Sequence, residues 1–214
     1  MPSVPRMSVS REISGSQRDL ARNLLEKRGI MRLVELREAG VSAATMSRME
    51  RDEEVDRLSR GLYQLSDADW EYHHRLAVAA KRVPKGIVCL VSALVFHEVT
   101  TQLPRWVWMA IGNADWAPRD NTGLSIVRFM ENRRRDDIET HVIEGVPVRI
   151  FGLSRTIVDC FRYRYKIGQD IAVEGLRDAL GQRKTTPAEV ACQATKYGIW
   201  TVIRPYIETY LSDD

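Results

Sequence analysis

The order of signals between Ser16 and Leu65 constrains this chain more than any other feature. Ser16, with Asp19 three residues on, is an N-cap for a helix that carries Leu20, Leu24 and Leu25 and stops at Gly29. The segment GIMRLVELREAG predicts a second short helix with Ile30, Leu33, Val34 and Leu36, closed by Gly40. Ser42 then caps a third helix in which Met46 and Met49 share one face. Beyond it, VDRLSRGLYQL alternates apolar and polar residues around Ser59-Arg60-Gly61, the pattern of a small hairpin. Three short helices, a Gly40-Val41-Ser42 junction between the second and third, and a closing hairpin follow the order of a winged helix-turn-helix.

The residue types suit contact with double-stranded DNA. With Met46 and Met49 turned to the core, Ser42, Ala44, Thr45, Ser47, Arg48 and Arg51 are left as the candidate contacts of the third helix. Small residues near a helix N-terminus permit close approach to the major groove, and Arg can reach guanine edges or phosphates. Arg57, Ser59 and Arg60 are the corresponding candidates on the hairpin. The competing interpretation is a module that mediates only protein contacts. Residues 1–65 hold twelve basic and ten acidic side chains, and Glu50, Asp52, Glu53, Glu54 and Asp56 crowd the end of the third helix.

Residues 1–15 carry Pro, Ser and Gly without periodicity and read as a mobile arm, which leaves 16–65 for the winged unit. Residues 66–84 read as a linker helix, capped by Ser66 or Asp67 and ended at Val83-Pro84, with His73 and His74 as solvated surface residues. From 85 to 214 a different pattern begins. LVSALVFHEV suits a buried helix, WVWMAIG and LSIVRFM suit strands, and IETHVIEGVPVRIF suits two strands turning at Glu144-Gly145. Helices then run to the end, so the chain is expected to be α+β.

Composition sets the remaining bounds. The apolar run from Ile87 to Phe96 is about half the roughly 20 residues of a membrane span. The polar N-terminus lacks the features of a secretory signal, and the expected location is the cytoplasm. Cys89, Cys160 and Cys192 are odd in number and widely spaced, the usage of buried small side chains in a reducing compartment. Of 32 basic residues 26 are Arg, while the net charge is only +3. Clusters at Arg128 with Arg133, Arg134 and Arg135, and at Arg162 with Arg164 and Lys166, are candidates for secondary DNA contact; their alternative is a solvated face.

The chain shows no phosphate-binding glycine loop, nucleophile elbow or HExxH, and no His or Cys spacing for zinc. Neither a catalytic residue nor a metal or cofactor is expected. Asp136, Asp137 and Glu139 read as a solvated charge run. Asp159, one turn from Arg155, reads as an i,i+4 ion pair.

RGLYQL after a winged-helix start, VPKGIVCLVSALVFHEVT, SRTIVDCFRYRYKIG and DIAVEGLRDAL together resemble the AbiEi family of antitoxins. The most specific pieces are Ser92-Ala93-Leu94 with His97, and Arg155-Thr156 with Asp159. The resemblance implies a transcriptional repressor from a type IV toxin-antitoxin or abortive-infection system, which binds inverted repeats upstream of its own operon. It also implies a nucleotidyltransferase-like toxin as functional partner, without requiring direct contact. The two motif pieces carry over as structural elements of the C-terminal domain. The acidic ERDEE stretch departs from the pattern and bears on how far the third helix touches DNA. Two alternatives stay open: a C-terminal domain that acts enzymatically on the toxin or its nucleic-acid product, and a plain regulator without a toxin.

Overall fold

A computed structural model describes residues 16–67 and 72–213, and these fall into two units, one within each range. The expected arm at 1–15 lies outside the described residues.

In the first unit α1 (Gln17–Arg28) opens on the predicted capping box, in which Ser16 and Asp19 satisfy each other's backbone N–H groups, and ends at Gly29 with φ 65°. Residues 31–32, expected within a helix, form strand β1 (Met31–Arg32). The reason is tertiary: Met31 pairs with Tyr63 and Arg32 with Leu62 across the sheet. Helices α2 (Leu33–Glu38) and α3 (Ala43–Arg51) follow, then the hairpin β2 (Val55–Ser59) and β3 (Leu62–Leu65). The sheet order is β1-β3-β2, all antiparallel, with a register irregularity between Arg57 and Ser59. The turn between β2 and β3 places Gly61 at φ 70°, a left-handed conformation that costs glycine least. Ala21, Leu25, Met31, Leu36, Met46, Met49, Val55 and Tyr63 form this unit's own buried core. The element order is the one read from the sequence as a winged helix-turn-helix.

The second unit begins with α4 (Tyr72–Arg82), and here the sequence reading needs correction. Leu76, Ala77 and Ala79 are buried and the helix packs on strands at residues 107–112, 138–143 and 146–151, so it is an integral part of this unit and not a linker. Its expected start at Ser66 or Asp67 precedes residues 68–71, which lie outside the described residues. His74 is likewise no surface residue: it is 1% exposed, with Nδ1 2.8 Å from Glu144 Oε2. His73 is exposed as expected, its ring edge against Phe96.

Five strands form a mixed sheet: β4 (Ile87–Val88), β5 (Val107–Gly112), β6 (Leu124–Phe129), β7 (Ile138–Ile143) and β8 (Val146–Phe151). Their order is β6-β5-β4-β8-β7, with β4–β8 and β5–β6 parallel. Strand β4, two residues long, has no sequence signature of its own, yet it bridges the two halves of the sheet. Ile87, Ala110, Phe129 and Phe151 meet the helical layer in one core. That layer comprises α5 (Leu90–Phe96), α7 (Leu153–Arg162), α9 (Gln169–Gly181), α10 (Pro187–Lys196) and α11 (Trp200–Asp213). The short helices α6 (Glu131–Arg134) and α8 (Arg164–Ile167) complete the described elements. Helix α7 is central, buried from Arg155 to Phe161 and packed by α5, α9, α10 and α11.

Candidate nucleic-acid interface

The start of α3 is fixed by four polar contacts. Ser42 Oγ accepts from the Thr45 backbone N–H at 3.1 Å, the cap expected from sequence. Gln17 Oε1, from the first turn of α1, accepts from Ser42 N at 3.1 Å and from Thr45 Oγ1 at 2.7 Å. Ser42 and Thr45 also share a hydrogen bond at 2.8 Å. These contacts tie α1 to the start of α3, and they depart from the sequence reading at Thr45. Thr45 is 4% exposed and turned inward, and the Ser42 hydroxyl is engaged in capping.

Ala44, Ser47, Arg48 and Arg51 form the exposed face of α3, opposite buried Met46 and Met49. Arg48 lies along its own helix, with Nε 3.4 Å from Ala44 O and Nη2 3.4 Å from Thr45 Oγ1. Both contacts sit at the long limit for hydrogen bonds, so the side chain can swing to an incoming acceptor at little cost. A concavity of about 600 Å³ lies beside it, lined by Ser16, Gln17, Arg18, Ser42, Thr45 and Arg48. Arg57 and Arg60 are exposed on the wing and Ser59 is half-buried. Leu33 N–H donates to Gly61 O at 2.8 Å, which ties the wing's turn to the start of α2.

The acidic stretch after α3 has a structural role that the sequence does not disclose. Asp52 takes an ion pair from Arg18, and Glu54 takes two, from Arg18 at 3.0 Å and Arg22 at 3.2 Å. The carboxylates neutralise Arg18 and Arg22 of α1 and leave Arg48 and Arg51 as exposed cations of α3.

The expected secondary clusters are divided by the fold. Arg128 Nη1 donates to the carbonyls of Gly112 at 2.8 Å and Asn113 at 2.7 Å, and Arg134 pairs with Glu131 at 2.9 Å and Asp115 at 3.3 Å. Arg162 donates to the Tyr197 carbonyl. These three also hold loops and helix ends. Arg135 is exposed beside Glu131, Lys166 is exposed near the Trp108 ring, and Arg164 stacks on Tyr165. Arg133 is half-buried, its carbonyl accepting from Arg155.

Asp136 and Asp137 are not merely a solvated run. Asp136 pairs with Lys196 at 3.1 Å, and the Asp137 carbonyl accepts from Gly152 N–H at 2.9 Å. Cys89 and Cys160 are buried, and that burial pushes both thiols up, while Cys192 is exposed. Among the described residues no group of three or more His, Cys, Asp or Glu could hold a metal ion, and no helix is long and apolar enough to cross a membrane.

The two specific motif pieces meet at one residue. His97 Nε2 lies 2.9 Å from the Phe151 carbonyl, and Thr156 Oγ1 donates to the same oxygen at 3.1 Å. Arg155 stacks 4.7 Å from the Phe151 ring, and Ser92 Oγ accepts from Trp108 N–H at 2.9 Å.

Fold and geometry define a two-unit α+β protein whose first unit has the element order of a winged helix-turn-helix. Residues 18–66 match the family model described as "Transcriptional regulator, AbiEi antitoxin", so that the resemblance read from the sequence is shown for the winged unit. Over most of its length the fold is similar to that of the RV2827C protein from Mycobacterium tuberculosis. The TM-score is 0.67 at 13% identity, with 92% of this chain and 78% of that chain covered. No curated protein matches the sequence.

Proposed function

We propose that the protein binds double-stranded DNA through α3 and the wing and represses its own operon as the antitoxin of a type IV toxin-antitoxin pair. The observation that carries this reading is the face of α3. Ala44, Ser47, Arg48 and Arg51 are exposed together, while the neighbouring carboxylates Asp52 and Glu54 are paired with α1. A flat, small-to-basic helix face flanked by Arg57 and Arg60 matches the major-groove reader and backbone contact of a winged helix-turn-helix. The family match over residues 18–66 supports the regulatory and antitoxin role.

The operator is an inverted repeat upstream of the gene, and the functional partner is a nucleotidyltransferase-like toxin encoded beside it. The site of action is the cytoplasm. The second unit acts without catalysis: Arg155 and Asp159, at 0% and 2% exposure, are sealed from any substrate and serve to hold α7 in place. Exposed Arg135 and Lys166, with half-buried Arg164, offer additional phosphate contacts.

The test is a titration of the full chain with duplex DNA from the region upstream of its gene, followed by fluorescence anisotropy at several salt concentrations. Saturable binding that exceeds binding to unrelated duplex supports the reading. Equal affinity for both duplexes refutes the operator assignment.

A further inference from the structure

A second polar site lies in the second unit, between α6 and the corner joining α10 to α11. It is a cavity of about 330 Å³ lined by Asn132, Arg133, Asp136, Lys196, Tyr197 and Gly198. Beneath it Arg155 is fully buried. Its Cζ stacks 3.8 Å from the Tyr197 ring, its Nη2 donates to the Arg133 carbonyl at 2.5 Å, and its Nε donates to Asp159 at 2.6 Å. Arg162 donates to the Tyr197 carbonyl from the same side.

Three buried groups around Tyr197 lack a hydrogen-bond partner: Arg155 Nη1, Arg162 Nε and the Tyr197 hydroxyl. Each is a donor, and an unmet donor in a protein interior is costly, more so when charged. Four cations, Arg133, Arg155, Arg162 and Lys196, meet three carboxylates here, Asp136, Asp137 and Asp159. Asp159 is taken up by Arg155, and Asp136 takes only one of the three donors of Lys196. Surplus donors and surplus positive charge at a concave surface call for an anion rich in acceptors.

We infer that this cavity binds a small phosphate monoester of mononucleotide size. Arg133 and Lys196 at its wall make the direct contacts with the phosphate oxygens. Tyr197 lines the cavity beside them, and the buried Arg155 and half-buried Arg162 behind it contribute positive charge without direct contact. A phosphate monoester fits because its terminal group offers three acceptor oxygens to converging donors. The site shares no residue with the α3 face.

The experiment is isothermal titration calorimetry of the full-length protein with inorganic phosphate, AMP and adenosine. Phosphate and AMP are expected to bind and adenosine to bind at least about tenfold more weakly than AMP. Arg133→Gln and Lys196→Gln should each weaken AMP by about tenfold or more with the melting temperature retained. Tyr197→Phe should weaken it as well, and Arg135→Gln, on the adjacent exposed turn, should leave it unchanged. Arg48→Ala, which tests the DNA reading, should also leave AMP binding unchanged. Absence of binding by both phosphate and AMP, or wild-type affinity in Arg133→Gln and Lys196→Gln, overturns the inference. A 5′-phosphorylated single-stranded oligonucleotide supplies the other source of the same group. If it binds through Arg133 and AMP does not bind, the small-ligand assignment fails and the cavity belongs to nucleic-acid ends.

Discussion

Arg155 Nε donates to Asp159 Oδ2 at 2.6 Å, one turn apart on α7, with both side chains inside the second unit and the guanidinium held between the rings of Phe151 and Tyr197. A pair at this spacing is a minor helix contact when solvated, but burial changes its weight. Removing one partner leaves the other charge uncompensated in a medium that solvates it poorly. Asp159→Ala is therefore expected to cost about 3 to 5 kcal/mol and to lower the melting temperature of the second unit. The winged unit has its own core, so a variant that retains folded N-terminal structure should still bind DNA. Calorimetry combined with DNA titration decides this. Unaltered melting together with lost toxin neutralisation would place Asp159 in an active role instead.

The same residue gives the protein a pH signature. Burial outweighs Arg155 and pushes the Asp159 carboxyl up from 3.8 to about 6. An acid with a raised folded pKa binds its proton more tightly in the folded state, so its contribution to stability falls as pH rises from about 4 to about 6 and is level above that. The full difference is roughly 3 kcal/mol at 1.36 kcal/mol per pKa unit. Denaturant melts of the wild type and Asp159→Asn across this range isolate the effect, because the other carboxylates cancel in the difference. The variant should gain on the wild type as pH rises; a constant gap contradicts the raised value.

At the proposed DNA face, Arg48→Ala should weaken operator binding by about 1 to 3 kcal/mol and relax base preference at one position. Anisotropy with single-base operator variants measures both. Full retention of affinity removes α3 from the reading role.

On the wing, Arg60→Ala should weaken operator and unrelated duplex alike and flatten the slope of log affinity against log salt by about one. A selective loss on one sequence with an unchanged salt slope points to base contact instead.

Glu54→Gln tests the neutralising role of the acidic stretch. It releases Arg22 from its ion pair and leaves Arg18 to Asp52 alone, and the freed charge should strengthen binding to unrelated DNA and steepen the salt dependence. Stability should change by no more than about 1 kcal/mol, since the arginines are half-exposed. Unrelated-duplex binding that stays at the wild-type level would show that Arg22 does not reach DNA even when freed.

Much of this architecture was legible in local signals. Ser16, Gly29, Ser42 and Gly61 mark element ends through capping and left-handed backbone geometry, which depend on a few neighbouring atoms and leave a readable trace. Met46 and Met49 declared the inner face of α3 through periodicity, and the strands and helices after residue 100 were announced by alternation and apolar stripes. The winged helix-turn-helix followed from the order of those signals.

What lies across the chain was decided only by the tertiary structure. Met31 and Arg32 became a strand because Tyr63 and Leu62 lie opposite them, and no local propensity encodes a partner thirty residues away. Thr45 turned inward because Gln17 supplies an acceptor from another helix, and His74 was buried because Glu144 approaches from the sheet. Asp52 and Glu54 read as a liability at a DNA face until Arg18 and Arg22 came alongside them. Local sequence fixes backbone conformation through short-range sterics and hydrogen bonds, while the worth of a charge or polar group is set by its burial and its facing partners, which exist only after distant segments have packed.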